Sequence, residues 1–327
     1  MKRWISLLMV LTSLIFLLIA CKENNNSYSN VFILENIRSD AKFINNFVIA
    51  NNDDGFLIID SNGEIIKTYS EIKANWIDSV DKENIIVYEN FNKETGIAKF
   101  DNEYNLIKNN IIMTTDKLNI DPTITKVGDI YYLTTTEIEG NINNGNINEP
   151  NGVYTVKLWK TTDLKNIQFV TNIISYQNNI EDVDFVVLKD KFGLVFEKEM
   201  VDKGDSSVCI IFSEDLTGEG FWNDEIELLP ADCDHEPAAF LQNGNRYTLY
   251  YSCDKEDRGE SYSSSKIYYA QYSKEFECIK KDQEIPLTIE KGTLLYDVTK
   301  EQNKVHFLYV KDYLTDSALV LDSMVEN

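Results

Sequence analysis

Residues 121–136 have the sequence DPTITKVGDIYYLTTT. An acid opens a short β-branched segment, a Gly-Asp pair typical of a tight turn follows, and a second segment is rich in aromatic and β-branched residues. The pattern predicts two strands joined by a hairpin, with Asp121 at the start of the first strand.

Altered copies of this unit occur along most of the chain. The clearest are residues 184–197 (DFVVLKDKFGLVFE) and 236–252 (EPAAFLQNGNRYTLYYS). A second landmark recurs at residues 158–164 (LWKTTDL) and 210–216 (IIFSEDL). With weaker copies at both ends, the leading acids are Asp40, Asp78, Asp121, Asp184, Glu236 and Asp297.

Repeats of this length, each with about four strands, predict an all-β fold, a β-propeller. Six leading acids favour six four-stranded blades, and five is the alternative if the two end copies share one blade. We expect N- and C-terminal strands to close the ring, with a strand near residues 30–36 pairing with the last blade. A two-sheet sandwich is the structural alternative, but it leaves the long repeat unexplained.

Strands are also predicted in the N-terminal third, at residues 43–50, 55–60, 64–69, 76–80, 85–89, 96–101 and 106–113. Residues 139–151 are Asn-rich and irregular, which predicts a long surface loop, and residues 261–265 predict a second one.

The N-terminus has the features of an export signal. Lys2 and Arg3 precede an apolar run over residues 5–20, which ends in Leu-Ile-Ala-Cys. This ending resembles the lipoprotein box of bacterial signal peptides, which implies cleavage before a lipidated Cys21. We therefore expect a signal peptide at residues 1–20, a flexible tether at 21–30 and a single propeller domain at 31–327. The resemblance implies an extracytoplasmic protein of the bacterial cell envelope, anchored by lipid.

The net charge argues against nucleic acid as a partner, and the cysteine spacing argues against a zinc site. The net charge is −23, which opposes binding to nucleic acid because phosphates would be repelled. The other cysteines, which lack the Cys-x-x-Cys spacing of zinc sites, are expected to form disulfides or buried thiols, with the pairing left open: Cys209, Cys233, Cys253 and Cys278. We predict no metal and no cofactor.

The leading acids suggest a chemistry. The first strand of each propeller blade lines the central channel, so these acids are expected to converge at one mouth of it. Convergent carboxyl groups can divide the roles of acid and base, as the cleavage of a glycosidic bond requires.

Residues 121–133, 159–166 and 236–252 resemble motifs of glycoside hydrolase family 43 and related furanosidase-type propellers. The resemblance implies an inverting hydrolase in which Asp121 is the general base, Asp184 tunes the pKa of the general acid, and Glu236 is that acid. Glu181 and Asp182 are rival carboxylates beside Asp184. Six blades also fit a sialidase-like fold, but the Ser-x-Asp-x-Gly-x-Thr-Trp boxes of sialidases are missing.

His235 and Arg258 are candidate substrate-binding residues. His235 has two further interpretations, as a residue that orients Glu236 or binds a metal and as an ordinary packed histidine. Trp76, Trp159 and Trp222 are predicted to be core residues in preference to sugar-stacking ones.

The leading hypothesis is a lipid-anchored propeller that hydrolyses a carbohydrate. The alternative is a non-catalytic propeller that binds a glycan or a protein, and a third is a structural surface protein without a small ligand.

Overall fold

The structure is a computed structural model that describes residues 32–35, 37, 40–80, 82–140, 152–177, 179–189, 191–200, 204–256, 262–313 and 317–325. This part of the chain contains 24 β-strands and no helix. It accordingly has no helical segment with the length and hydropathy that crossing a membrane requires. The predicted signal peptide, Cys21 and most of the 139–151 loop lie outside the described residues.

The strands form six antiparallel four-stranded sheets, the blades of a β-propeller. The first strand of the chain is β1 (Phe32–Glu35). Blades one to three contain β2 (Ala41–Ile44), β3 (Phe47–Asn52), β4 (Gly55–Ile59), β5 (Ile65–Tyr69), β6 (Trp76–Ser79), β7 (Ile85–Glu89), β8 (Glu94–Phe100), β9 (Leu106–Thr114), β10 (Leu118–Val127), β11 (Ile130–Glu139), β12 (Val153–Thr161) and β13 (Gln168–Tyr176).

Blades four to six contain β14 (Asn179–Val187), β15 (Phe192–Glu199), β16 (Ser206–Phe212), β17 (Ile226–Cys233), β18 (His235–Asn243), β19 (Arg246–Cys253), β20 (Lys266–Tyr272), β21 (Cys278–Glu284), β22 (Thr293–Glu301), β23 (Lys304–Lys311) and β24 (Ala318–Val325). The strand β1 completes blade six. The all-β propeller is therefore confirmed, with six blades and not the alternative of five.

The N- and C-terminal strands close the ring as predicted. The strand β1 pairs with β24, with Phe32 opposite Leu321 and Glu35 opposite Ala318. The innermost strands β2, β6, β10, β14, β18 and β22 contact one another in that order and back to β2. Every blade is thus held on both sides by a neighbour.

The packing follows from the order of strands within a blade. Most residues of the second and third strands are buried because these strands lie between neighbouring blades, as the fully buried β4 and β7 illustrate. The fourth strands, such as β13 and β21, are exposed or half-buried along their whole length. In the repeated hairpin, Gly128 and Gly244 both have φ of 61°, a left-handed conformation that glycine adopts readily.

Aspartates on the innermost strands of blades two, four and six each link their own blade to the following one. Each accepts a hydrogen bond from a backbone N–H of the following blade, with N–O distances of 2.7–2.8 Å: Ile124 to Asp78, Phe240 to Asp184 and Phe43 to Asp297. The last of these bonds joins blade six to blade one. We call Asp78, Asp184 and Asp297 the latch aspartates.

Two details differ from the sequence-based expectations, and one open question is resolved. The predicted strand 43–50 is two strands, because Asn45 takes a φ of 53° and turns the chain between β2 and β3. Trp76 packs half-buried against a core cluster and also forms part of a cavity wall. The open question of cysteine pairing resolves into a Cys233–Cys253 disulfide, with Cys209 a buried and Cys278 an exposed free thiol.

Candidate active site

One mouth of the channel holds a cavity of about 380 Å³, within the range of small-ligand sites. All six blades contribute to its wall. Carboxyl groups dominate the lining: Asp40, Asp78, Asp121, Glu181, Asp182, Asp184 and Glu236. The convergence predicted from the repeated acids is therefore observed for five of the six leading acids.

Asp121 and Asp182 occupy equivalent places in blades three and four. Each lies in a β-bulge of the innermost strand, and each has a left-handed backbone, with φ of 48° for Asp121 and 50° for Asp182. Aspartate tolerates this conformation better than most residues. The backbone N–H of Asp182 donates to Asp121 Oδ2 at 2.9 Å. The repeat aligned from the sequence on Asp184 is therefore offset by two residues.

Glu236 lies in the next blade, close to Asp182. A carboxylate oxygen of each lies within 4.8 Å of the other and of an oxygen of the buried Glu197. The Tyr262 hydroxyl reaches Glu236 Oε1 at 2.5 Å and Asp234 Oδ2 at 3.0 Å. Asp121, Asp182 and Glu236 thus form a continuous group across blades three, four and five.

Burial keeps protons on Asp121 and Asp182 near neutral pH. Desolvation, with the charge of Asp40 next in importance, raises the pKa of Asp121 to about 7. Desolvation and the charge of Glu236 raise the pKa of Asp182 well above its usual range. Carboxyl groups with such values can both hold and accept a proton at physiological pH.

Asp184 also lines the cavity, but its carboxylate is engaged as a latch. Its Oδ2 accepts the N–H of Phe240 at 2.8 Å, as Asp297 does for Phe43. Of the predicted acids, the structure brings Asp121 and Glu236 together with Asp182 directly between them. Asp184 is placed beside this group, where it holds blades four and five together.

Lys42 supplies positive charge to the cavity. Its Nζ donates to the carbonyl oxygen of Tyr296 at 2.9 Å and lies 3.9 Å from Asp40 Oδ1. Burial alone would lower its pKa, but the surrounding aspartates raise it above the usual value. Lys42 therefore stays charged and offsets part of the negative charge of the channel.

The other predicted site residues have different positions. His235 is fully buried outside the cavity lining, where its Nδ1 lies 2.9 Å from the Ser206 carbonyl oxygen and its ring packs on Tyr251. The strand β18 alternates its side chains, so His235 and Glu236 point to opposite faces. Arg258 lies outside the described residues. For His235 the interpretation as a packed residue fits this position.

The sequence analysis named Asp182 only as a rival of Asp184, and it missed several other polar residues near the cavity: Lys42, Glu197, Asp234 and Tyr262. Asp182 had a signal, because Asp121 and Asp182 each precede a buried apolar residue, Ile124 and Phe185, by three positions. Among the described residues, three sets of side chains have metal-capable geometry, and one of them, Cys233–His235–Cys253, includes both disulfide cysteines.

Comparison with known proteins bears on the fold. No protein-family model matches the sequence, and no curated protein matches it either. Among solved structures, an α-L-arabinofuranosidase from Fusarium graminearum matches with a TM-score of 0.52 and 11% identity over 77% of this chain and 92% of the other. An α-L-arabinanase from Penicillium chrysogenum matches with a TM-score of 0.52 and 11% identity over 76% and 92%.

A β-1,2-mannobiose phosphorylase from Listeria innocua covers most of the propeller. It matches with a TM-score of 0.50 and 12% identity, over 93% of this chain and 92% of its own. The chain shares the fold of these enzymes. At this identity the similarity concerns the arrangement of the propeller, and the chemistry of the cavity rests on the side chains described above.

Proposed function

We propose that the protein is a glycoside hydrolase that cleaves its substrate with paired carboxyl groups at the channel mouth. The observation that carries the proposal is the group Asp121–Asp182–Glu236, contributed by three consecutive blades to one cavity. The names of the three similar structures, all enzymes of glycoside cleavage, support the same class of substrate.

Each carboxyl group has a role in this proposal. Glu236, held by Tyr262, gives its proton to the glycosidic oxygen as the C–O bond breaks. Asp121 takes a proton from the water whose oxygen attacks the anomeric carbon, so the configuration inverts. Asp182 donates its backbone N–H to Asp121 and lies beside the Glu236 carboxyl, where it tunes the pKa of the acid. Asp182 takes the role that the resemblance implied for Asp184.

The aromatic rim of the cavity fits a sugar. Trp76 and Phe91 line the cavity with their ring centroids 5.3 Å apart, and Phe91 is 67% exposed. An exposed aromatic face beside polar groups is the usual composition of a site that binds an amphipathic ligand. We propose that a sugar ring stacks on these aromatic side chains while Asp121, Asp182 and Glu236 engage the scissile bond.

The first experiment is a substrate screen with matched variants. Release of reducing sugar or of an aryl leaving group is measured on arabinosides, xylosides, fructans and sialosides, with and without inorganic phosphate to separate hydrolysis from phosphorolysis. Wild type is compared with Asp121→Asn and Glu236→Gln, and Asp297→Asn is the control because this latch aspartate does not line the cavity. Loss of activity in the first two variants alone supports the proposal, and NMR of the first product tests inversion.

Absence of turnover on every substrate would favour the alternative function, a propeller that binds a glycan or protein without cleaving it. The same panel is then screened for affinity by calorimetry. Binding that Phe91→Ala weakens, with no product formed by wild type, would replace the hydrolase proposal by a glycan-binding one.

We further propose that the protein is exported and anchored to a membrane through lipidated Cys21. The basic start, the apolar run and the lipoprotein box support this. Metabolic labelling with a radioactive fatty acid tests it, since wild type should carry label in the membrane fraction and Cys21→Ser should not. Equal labelling of both proteins would refute the anchor.

A further inference from the structure

A second cluster of carboxyl groups lies behind Glu236, at the seam between blades four and five. It consists of Glu197 and Glu199 at the end of β15 and Asp234 between β17 and β18. All three are buried, with side chains 1–4% exposed. One oxygen from each lies within 4.8 Å of the other two. The cluster is outside the cavity lining.

Hydrogen bonds satisfy only part of this cluster. Glu199 accepts bonds from the Asn179 amide at 3.0 Å and the Gly204 N–H at 3.3 Å. Asp234 is reached by the Tyr262 hydroxyl at 3.0 Å. Glu197 Oε1, by contrast, is completely buried and has no hydrogen-bond partner. A buried carboxylate oxygen without a partner is costly, so three neighbouring carboxyl groups at this depth need bound protons or a cation to compensate their charge.

Asn179, which is hydrogen-bonded to Glu199, also has a buried polar atom without a partner. Its amide is fully buried, and Oδ1 has no partner although Nδ2 is bonded to Glu199. A half-turn of the amide would bring its oxygen to the cluster. In the observed orientation the Asn179 nitrogen faces Glu199, and the unpartnered oxygen within the cluster itself is Glu197 Oε1.

We propose that Glu197, Glu199 and Asp234 bind a calcium ion. Calcium takes six to eight oxygen ligands at about 2.3–2.6 Å in flexible geometry. Ligand oxygens no more than 4.8 Å apart can therefore all touch one such ion. Magnesium requires shorter, strictly octahedral contacts, and zinc prefers nitrogen and sulfur, so this all-oxygen set favours calcium. The inference does not depend on the proposed hydrolase activity.

The chain supplies a closely matched control. Glu89 ends β7 and is opposite Trp76, as Glu197 on β15 is opposite Glu181, so the two glutamates occupy equivalent positions in blades two and four. Glu89 is also buried, with Oε2 unpartnered. Within the described residues it belongs to no metal-capable set. Glu89→Gln thus removes the same group in the same setting without the cluster.

Calorimetry with Ca²⁺ on EDTA-treated full-length protein tests the proposal. We expect one ion per chain, binding that is tighter than for Mg²⁺, and a Tm that rises with Ca²⁺ because the ion binds only the folded state. Glu197→Gln should weaken Ca²⁺ binding at least tenfold, while Glu89→Gln binds like wild type. Glu199→Gln replaces the first variant if that one does not fold by circular dichroism.

Two results would overturn the calcium site. One is the absence of both binding heat and a Tm shift at about 10 mM Ca²⁺, a concentration above the dissociation constants of the weakest protein calcium sites. The other is a folded Glu197→Gln or Glu199→Gln variant that binds Ca²⁺ as tightly as wild type does.

Discussion

Single residues in this propeller differ in role although they look alike in sequence. Asp182 and Asp184 are two positions apart on β14, and both line the cavity. A β-bulge separates them, so that Asp182 approaches Asp121 and Glu236 while Asp184 accepts the N–H of Phe240. The position relative to the bulge therefore decides which of the two carboxyl groups accepts the backbone N–H of the next blade.

We predict that Asp182→Asn lowers kcat/KM by about 100- to 10,000-fold, the range expected when acid–base catalysis is disturbed. Asp184→Asn should change it less than about tenfold, because an amide oxygen can accept the Phe240 N–H in the place of the carboxylate. Steady-state kinetics on the substrate found in the screen measure both, with Asp297→Asn as the latch control. A greater loss for Asp184→Asn than for Asp182→Asn would restore the role that the resemblance implied.

The pH profile should report the ionisation of Asp121. A general base acts only when deprotonated, and burial raises the pKa of Asp121 to about 7, so kcat/KM is expected to fall as the pH drops below about 7. The charge of Asp40 contributes to that rise in pKa. Asp40→Asn should therefore move the acidic limb to lower pH. If the acidic limb of the pH profile does not move in Asp40→Asn, the assignment of that limb to Asp121 is contradicted.

At the scale of strands, the sequence predicted the repeat better than its register. The strands β4, β5 and β7 agree with prediction to within one residue, because short runs of apolar and β-branched residues between turn residues mark them clearly. The bulges at Asp121 and Asp182 were not predictable, since an added residue changes no hydrophobic pattern that a single sequence displays. Glu197 and Glu199 were missed because acids at a strand end normally face solvent, and only the adjoining blade buries them.

The closing strand β1 gives a prediction about ring stability. Removal of residues 1–35 takes away all pairing of β24 with β1, whereas removal of residues 1–30 leaves it intact. We expect the longer truncation to lower the Tm by more than about 5 °C and to form oligomers, because an unpaired strand edge attracts other chains. Thermal unfolding and size-exclusion chromatography test this. Equal Tm values for the two truncations would show that β1 contributes little.

At the scale of the whole molecule, ionisation of the buried carboxyl groups in the channel lowers the stability of the folded state. Burial raises the pKa of Asp40 and Asp184 to about 6 and that of Asp78 and Asp121 to about 7, against about 3.9 in an unfolded chain. Folded pKa values above the unfolded ones mean that protonation favours folding. The resulting stability is complete below about pH 4 and is lost as the pH rises through 6 to 7.

We therefore expect a higher Tm at pH 5.5 than at pH 8. Asp78→Asn should raise the Tm at pH 8 by about 2 °C or more and reduce the dependence on pH, because it removes one buried charge and keeps an acceptor for Ile124. His235 and His306 oppose this trend, since burial lowers their pKa and favours folding at high pH. A Tm that rises steadily from pH 5.5 to 8 would mean that the histidines dominate.

The pairing of β1 with β24 also fixes the direction in which β1 runs relative to the channel mouth. The cavity contains Leu294 and Leu295 at the start of β22, so β22 runs away from the mouth. Because each pairing in blade six is antiparallel, β23 runs towards the mouth, β24 runs away from it and β1 runs towards it. The N-terminal end of β1 therefore lies towards the opposite face of the disc. If Cys21 is lipidated as proposed, the described propeller is attached through the end of β1 that lies away from the mouth, which leaves the mouth open to large polymers.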